Sequence, residues 1–286
     1  MTSNARNTSV TFATNQSNTM KRFLSYLTVI LLVALISLPA FSQQVLSSIV
    51  KKGEIRIGMT GKQPPFSMKS KSGELIGYEV DLAKALAKNM GVELKLVETP
   101  FADLMGALKA GKIDGIMSGM TMTPERNLNA LFAGPYILSG KSILTKSNKV
   151  SEFTSADNAT SGKKFKIISL KGSTSEQFVK NFMSKHEMIL VNSYDEGVEM
   201  ILSDKADAMV ADKPICVLTV LKHQGKDLVT TEQPLTIEPI GMALPPGDPQ
   251  FLNLVQNYLA SLELSGTLQL LEKKWFNDGA WMLNVE

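Results

Sequence analysis

Cysteine is almost absent: Cys216 is the only one in 286 residues. No disulfide can therefore form within the chain, whatever compartment it occupies. Set in "KPICVLTVL", Cys216 reads as a small buried apolar residue rather than a nucleophile. Histidine is nearly as scarce. His186 and His223 lie in polar stretches without metal-ligand spacing, so no metal and no other cofactor is expected. Beyond residue 38 no run is long and apolar enough to span a bilayer. Neither of the long extended connections, "AGPYILSGKSILTKSN" and "EQPLTIEPIGMALPPGD", is rich enough in Gly and Ser to be a floppy linker.

The beginning of the chain has a different character. Residues 1 to 20 are polar, and "MKRFLSYLTVILLVALISLPAFSQQ" then supplies Lys21 and Arg22, an apolar run from Phe23 to Leu38, and the small residues Ala40 and Ser42. A basic region, an apolar core and a small-x-small site predict a secretory signal peptide over residues 1–42, cleaved near Ser42–Gln43. The alternative is a membrane anchor, for which the apolar run is short. Met20 directly precedes Lys21 and is a second candidate start, with residues 1–19 then a mis-called extension. The leader holds Arg6, Lys21 and Arg22 and no acid, which leaves 27 basic and 27 acidic residues behind it. A net charge of zero argues against nucleic acid or an anionic membrane surface as partner. No cysteine follows the leader to carry a lipid, so a free, soluble protein of a Gram-negative periplasm is expected.

The remaining chain predicts an α/β fold. "GEIRIGMT" alternates as a strand. "ELIGYEVDLAKALAKNMG" follows as a helix, with Val80, Ala83, Ala87 and Met90 on one face and Glu79 and Asp81 in its first turn. "VELKLVE", "FADLMGALKAG" and "IDGIMSG" complete β-α-β-α-β, the signature of a doubly wound sheet. "KFKIISL", "STSEQFVKNFMSK", "MILVNS", "YDEGVEMILSDK" and "ADAMVAD" repeat the scheme. Residues 101–119 align without gaps on residues 194–212, pairing Phe101 with Tyr194, Lys112 with Lys205 and Asp114 with Asp207. Two similar lobes are therefore expected, residues 43–138 with 239–286 and residues 139–238, joined by two crossings that act as a hinge. The closing helices, 249–263 and 267–275, have no strands of their own and are expected to pack on the first lobe.

In that alignment Gly119 and Asp212 both fall at the C-terminal tip of a strand, where open α/β sheets bind ligands. In "SGMTMTPER", Thr123 caps a helix with Pro124 at its first position, which sets Arg126 beside the positive end of the helix dipole. A cation placed there invites an anion. Thr121 adds a hydroxyl. From the other lobe, "LKGSTSEQF" offers Ser173 and Glu176 at capping-box spacing. Phe66 and Phe101 offer apolar surface. An arginine fork with N–H groups fits a carboxylate and a lone aspartate fits an ammonium, so together they fit the zwitterion of an amino acid. Each residue has a plainer alternative. Arg126 would pair with Glu125 or Asp103, Ser173 and Asp212 would serve as helix caps, and Phe66, Phe101 and the run Met117, Met120, Met122 would belong to the core.

"GYEVDLAKALAKNMG", "GKIDGIMSGMTMTPER", "LKGSTSEQF", "KADAMVADKP" and "SGTLQLLEKKWF", in order across residues 46–276, resemble family 3 of the bacterial extracellular solute-binding proteins, the polar amino acid-binding proteins of ABC importers. The resemblance implies a two-lobed periplasmic-binding-protein fold of type II, no catalysis, a monomer, and an inner-membrane ABC permease as partner. It also implies that Arg126 holds the ligand's α-carboxylate with help from Thr121 and Ser173. Asp212 and the Gly119 carbonyl would hold the α-amino group, with Phe101 packed on the ligand. Gln63 stands where many members carry an aromatic residue, and no acid stands near Thr60. The same fold is also similar to periplasmic cyclohexadienyl dehydratases, in which an acid at the place of Glu176 acts on prephenate or arogenate.

Overall fold

The computed structural model describes residues 45–154 and 163–285. The leader and its cleavage point lie outside the described residues. After the helix α1 (Val45–Lys52) come β1 (Glu54–Met59), a small sheet of β2 (Lys62–Gln63), β3 (Ser67–Lys69) and β4 (Leu75–Ile76), and α2 (Tyr78–Met90). Then follow β5 (Glu93–Glu98), α3 (Phe101–Lys109), β6 (Gly115–Ile116), the single turn α4 (Pro124–Asn127) and β7 (Leu131–Ser139). The second set is β8 (Lys141–Lys146), α5 (Val150–Thr154), β9 (Lys166–Leu170), α6 (Thr174–Phe182), β10 (Glu187–Val191), α7 (Tyr194–Leu202), β11 (Ala208–Asp212), α8 (Lys213–Lys222) and β12 (Leu228–Thr230). The chain then returns through β13 (Glu238–Leu244) to α9 (Pro249–Leu264) and α10 (Thr267–Glu272).

Two five-stranded sheets result, ordered β5-β1-β6-β13-β7 and β10-β9-β11-β8-β12. Each has the same plan. Its β-α-β-α-β half supplies three parallel strands, and an antiparallel strand adds to the third of them. This common plan is the structural content of the weak internal repeat. The inner parallel strands β1, β6, β9 and β11 are largely buried because helices cover them, whereas the edge strands β5 and β10 are partly exposed.

The sheets are mixed rather than purely doubly wound, because the two connections are themselves strands. β7 and β8 follow one another with only Gly140 between them, and β13 pairs with β7 through Glu238–Ser139 to Leu244–Leu131. An extended segment running beside an unpaired sheet edge satisfies its backbone groups by joining the sheet. The closing helices pack on the first sheet: Phe251, Val255, Tyr258 and Leu259 are buried in its core, and the Tyr258 hydroxyl donates to the Leu82 carbonyl at 2.8 Å. Cys216 is fully buried in α8, and burial pushes its thiol up to about 12, which leaves it unreactive.

The crossings lie against each other. The Lys141 N–H donates to Thr236 Oγ1 at 2.9 Å, and the Leu235 N–H donates to the Lys141 carbonyl at 2.7 Å. A β-carbon on Gly140 would overlap the Thr236 carbonyl oxygen and reach the Pro234 side chain at 2.9 Å. Backbone atoms on both sides cannot swing away, so glycine is required. Gly140→Ala is expected to destabilise the protein by about 2 kcal/mol or more, lowering Tm by roughly 4–8 °C. Differential scanning calorimetry of the two proteins checks this, and an unchanged Tm refutes the close approach.

Candidate ligand site between the two sheets

The loop after β6 is held at both of its ends. Gly119 turns it with φ of 59°, and its N–H donates to Glu79 Oε1 at 2.7 Å. Further on, Thr121 bridges Ile240, and the Met122 N–H donates to the Pro239 carbonyl at 2.8 Å. Thr123 Oγ1 then caps the short turn by accepting from the Arg126 N–H at 3.2 Å, with Pro124 at the first helical position. The backbone therefore fixes where Arg126 begins.

The Arg126 guanidinium leaves the surface. Nη1 donates to the Thr121 carbonyl at 2.9 Å, Nη2 donates to the Gly172 carbonyl of the other sheet at 3.2 Å, and the fork lies 5.7 Å from the centre of the Phe101 ring. Among the described residues no carboxylate is within ion-pair distance of it. Glu125, its candidate surface partner, accepts instead from Gln177 Nε2. Burial pulls the guanidinium pKa down, partly offset by the nearby charges of Glu238 and Asp212.

Asp212 is not alone. Its carboxylate accepts from Lys141 Nζ at 2.7 Å, and the same ammonium lies 3.0 Å from Glu238 Oε2. Asp212 occupies the N-cap position of α8 but makes no side-chain cap bond. Lys141 is only 1% exposed. Burial raises the Asp212 pKa, and the Lys141 charge works against that rise. Burial acts on Glu238 in the same sense, but Lys141 and the Thr121 hydroxyl outweigh it and hold Glu238 below the usual range. Glu238 Oε2 also accepts from Thr121 Oγ1 and from Thr174 Oγ1, both at 2.8 Å, so one oxygen joins hydroxyls from the two sheets.

Ser173 does what a cap does: its Oγ accepts from the Glu176 N–H at 3.2 Å and donates to the Leu170 carbonyl at 2.6 Å. The hydroxyl turned toward the charged cluster belongs to the next residue, Thr174. Phe101 is buried against Arg126, whereas Phe66 is core, edge-on to Phe276 at 5.4 Å. Met117 and Met120 are core as well. Gln63 is buried, and its Oε1 accepts from Ser118 Oγ at 2.7 Å and Thr60 Oγ1 at 3.1 Å. It lines the same cavity as Tyr194 of the other lobe.

Five residues of this cluster escape a reading of the sequence: Lys141, Glu238, Thr174, Tyr194 and Glu79. Tyr194 had a signal, since the internal alignment sets it opposite Phe101. Lys141 and Glu238 lie in segments read as connections. Glu79 sits in the first turn of α2, where an acid usually faces water, but here it is fully buried under Gly119. The Tyr136 hydroxyl also donates to it. Burial raises its pKa to about 7, against the pull of the Tyr136 and Gly119 hydrogen bonds and with help from Asp212. Glu176 is held the other way. Burial works to raise its pKa, but Lys180 and the Gly172 N–H outweigh it and keep the carboxylate ionised.

A buried lysine, a half-buried arginine and two buried carboxylates, gathered where two sheets face each other, mark a two-lobed protein that binds a small molecule between its lobes. The chain belongs to the bacterial extracellular solute-binding proteins, family 3, whose family model matches residues 55–278. It is 29% identical to the L-cystine-binding protein of Escherichia coli K12, over 86% of this chain and 91% of that protein. It is also 28% identical to the cyclohexadienyl dehydratase of Pseudomonas aeruginosa, over 80% of this chain and 85% of that one. Among solved structures, an ancestral amino acid-binding protein described as a precursor of cyclohexadienyl dehydratase superposes with a TM-score of 0.74 at 37% identity, covering 82% of this chain and 100% of that one.

Glu79 gives the site a pH signature. An acid whose folded pKa is raised from 4.5 to about 7 favours the folded state when protonated. That contribution is complete below about pH 4.5 and is lost as pH rises to about 7, a change on the order of 3 kcal/mol. Glu79→Gln imitates the protonated acid and escapes the loss. The Tm of the variant relative to wild type is therefore expected to rise between about pH 5 and pH 7.5 and then level off. Melting curves across that range test it, and a difference independent of pH would refute a buried Glu79 of raised pKa.

Proposed function

We propose that this chain captures an amino acid between its two lobes and delivers it to an ABC permease of the inner membrane. The observation that carries the reading is Arg126, a half-buried guanidinium that meets only main-chain carbonyls and an aromatic face at the tip of a strand. A ligand carboxylate takes this fork bidentately, with the Thr121 and Thr174 hydroxyls beside it and Ser173 holding the start of α6 in place. The α-ammonium lies against Asp212 and the Gly119 carbonyl, and Phe101 packs on the ligand. Lys141 neutralises one of the two acids Asp212 and Glu238, so a second cation is accommodated there. The lobes, residues 43–138 with 239–286 and residues 139–238, close over the ligand by bending at the paired crossings. Names of relatives support amino acids as the ligand class. The leader supports export to the periplasm with cleavage near Ser42, and the chain acts as a monomer without lipid, metal or cofactor.

The second reading is a dehydratase of prephenate or arogenate, favoured by the relative of that name and by the position of Glu176. A general acid needs a proton to give at the working pH. Glu176 is held ionised by Lys180 and the Gly172 N–H, so we assign it the capping role and propose no turnover.

Arg126→Ala removes one partner of a desolvated pair with the ligand. Binding is expected to weaken by roughly 10²–10⁴-fold, the equivalent of about 3–5 kcal/mol, with little change in Tm. Arg126→Lys is expected to recover only part, because an ammonium keeps the charge but not the planar fork. Calorimetric titration with amino acids decides it. Normal binding by the alanine variant would place the ligand elsewhere, and phenylpyruvate released from prephenate and lost on Glu176→Gln would establish the dehydratase.

A further inference from the structure

The charged cluster ends at Gln63 and Tyr194, and a cavity of about 280 Å³ begins there. Tyr194 is its inner wall on one side, close enough to Asp212 to feel its charge. Gln63 is the wall on the other, with its amide 3.8 Å from where a β-carbon on Gly119 would stand. A ligand whose ammonium rests on Asp212 and the Gly119 carbonyl therefore directs its side chain into this space. The volume lies at the small end of ligand pockets, enough for one amino-acid side chain and not for a peptide.

The wall is rich in groups that hydrogen-bond without charge: Thr60, Gln63, Thr99, Asn192 and Ser193. Leu170 and Pro100 add apolar surface. Two charged residues also line it, Lys62 and Glu98. Lys62 is exposed, and Glu98 is exposed and 3.0 Å from Lys69, a pair that water screens. The buried charges nearby are taken up by the ligand's own α-groups, the one carboxylate that Lys141 leaves uncompensated by the α-ammonium and Arg126 by the α-carboxylate. Lys141 bridges Asp212 and Glu238, and Arg126 is left for the ligand carboxylate. A guanidinium, ammonium or second carboxylate on the ligand's side chain would lose its hydration here and gain no buried counter-charge. An amide or hydroxyl would exchange water for the wall's own donors and acceptors.

We infer that the ligand is an amino acid with an uncharged, hydrogen-bonding side chain, and that Gln63 sets this preference. The inference rests on the amino-acid reading of the site. Gln63 is suited to the task. Its Oε1 is held by Ser118 and Thr60, so the amide cannot turn away, and it faces the cavity from a buried position.

The test is calorimetric titration of the exported protein with glutamine, asparagine, serine and threonine against arginine, lysine and glutamate. The best neutral ligand is expected to bind at least tenfold more tightly than any charged one. Gln63→Glu, which keeps an oxygen for Ser118 and Thr60 and adds a buried negative charge, is expected to shift the ratio toward arginine or lysine by tenfold or more. A merely structural Gln63 would weaken all ligands alike and leave the ratio unchanged, which would overturn its assigned role. Arginine, lysine or glutamate as the tightest ligand of the wild type would overturn the neutral-ligand inference and leave the amino-acid reading standing. Binding of none of the seven would overturn both.

Discussion

One ammonium group holds the centre of this molecule together. Lys141 is the first residue of β8, Asp212 the last of β11 and Glu238 the first of β13, so a single buried ion cluster pins the start of one crossing, the end of the other and the tip of a strand. Such a cluster is costly to bury, and its members must find each other accurately or the desolvation is not recovered. Here it is. Glu238 is further satisfied by Thr121 from the first sheet and Thr174 from the second. The geometry of the cleft follows, because the same hydrogen bonds that complete the cluster set the spacing between the facing strand tips.

The cluster also fixes what charge the cleft accepts. Two carboxylates share one lysine, leaving one negative charge uncompensated, and Arg126 supplies a positive charge at the other end. A molecule with an ammonium and a carboxylate a bond or two apart matches both without altering the total. A simple cation or anion matches only one and leaves the other buried charge without a partner.

The parts of this arrangement legible in the sequence were those written in local periodicity. The β-α-β-α-β halves announce themselves through apolar runs and amphipathic helices, and the internal repeat sets Gly119 opposite Asp212. The loop with Thr123, Pro124 and Arg126 was legible because capping chemistry is local. What was hidden depends on partners far away in the chain. Asp212 read as a lone acid because its lysine lies 71 residues earlier. β7, β8 and β13 read as connections because pairing between distant strands leaves no period of its own. Ser173 outshone Thr174 because a cap has a sequence signature and a hydroxyl facing a cleft has none. Glu79 looked like an ordinary first-turn acid, since nothing local says that Gly119 and Tyr136 will close over it.

The same hydrogen bonds suggest how binding gains selectivity. Arg126 spends two donors on the carbonyls of Thr121 and Gly172, one from each sheet. These are neutral acceptors. A ligand carboxylate offers the fork a charged, bidentate acceptor, and hydrogen bonds of that kind are roughly twice as strong as those between neutral groups. The exchange therefore favours a carboxylate over a hydroxyl or an amide at this point, since those would only replace one neutral acceptor with another. Because Gly172 belongs to the second sheet, every contact of Arg126 with it also reports the closeness of the two lobes. Under the function proposed above, recognition of the carboxylate and closing of the cleft would act through the same side chain.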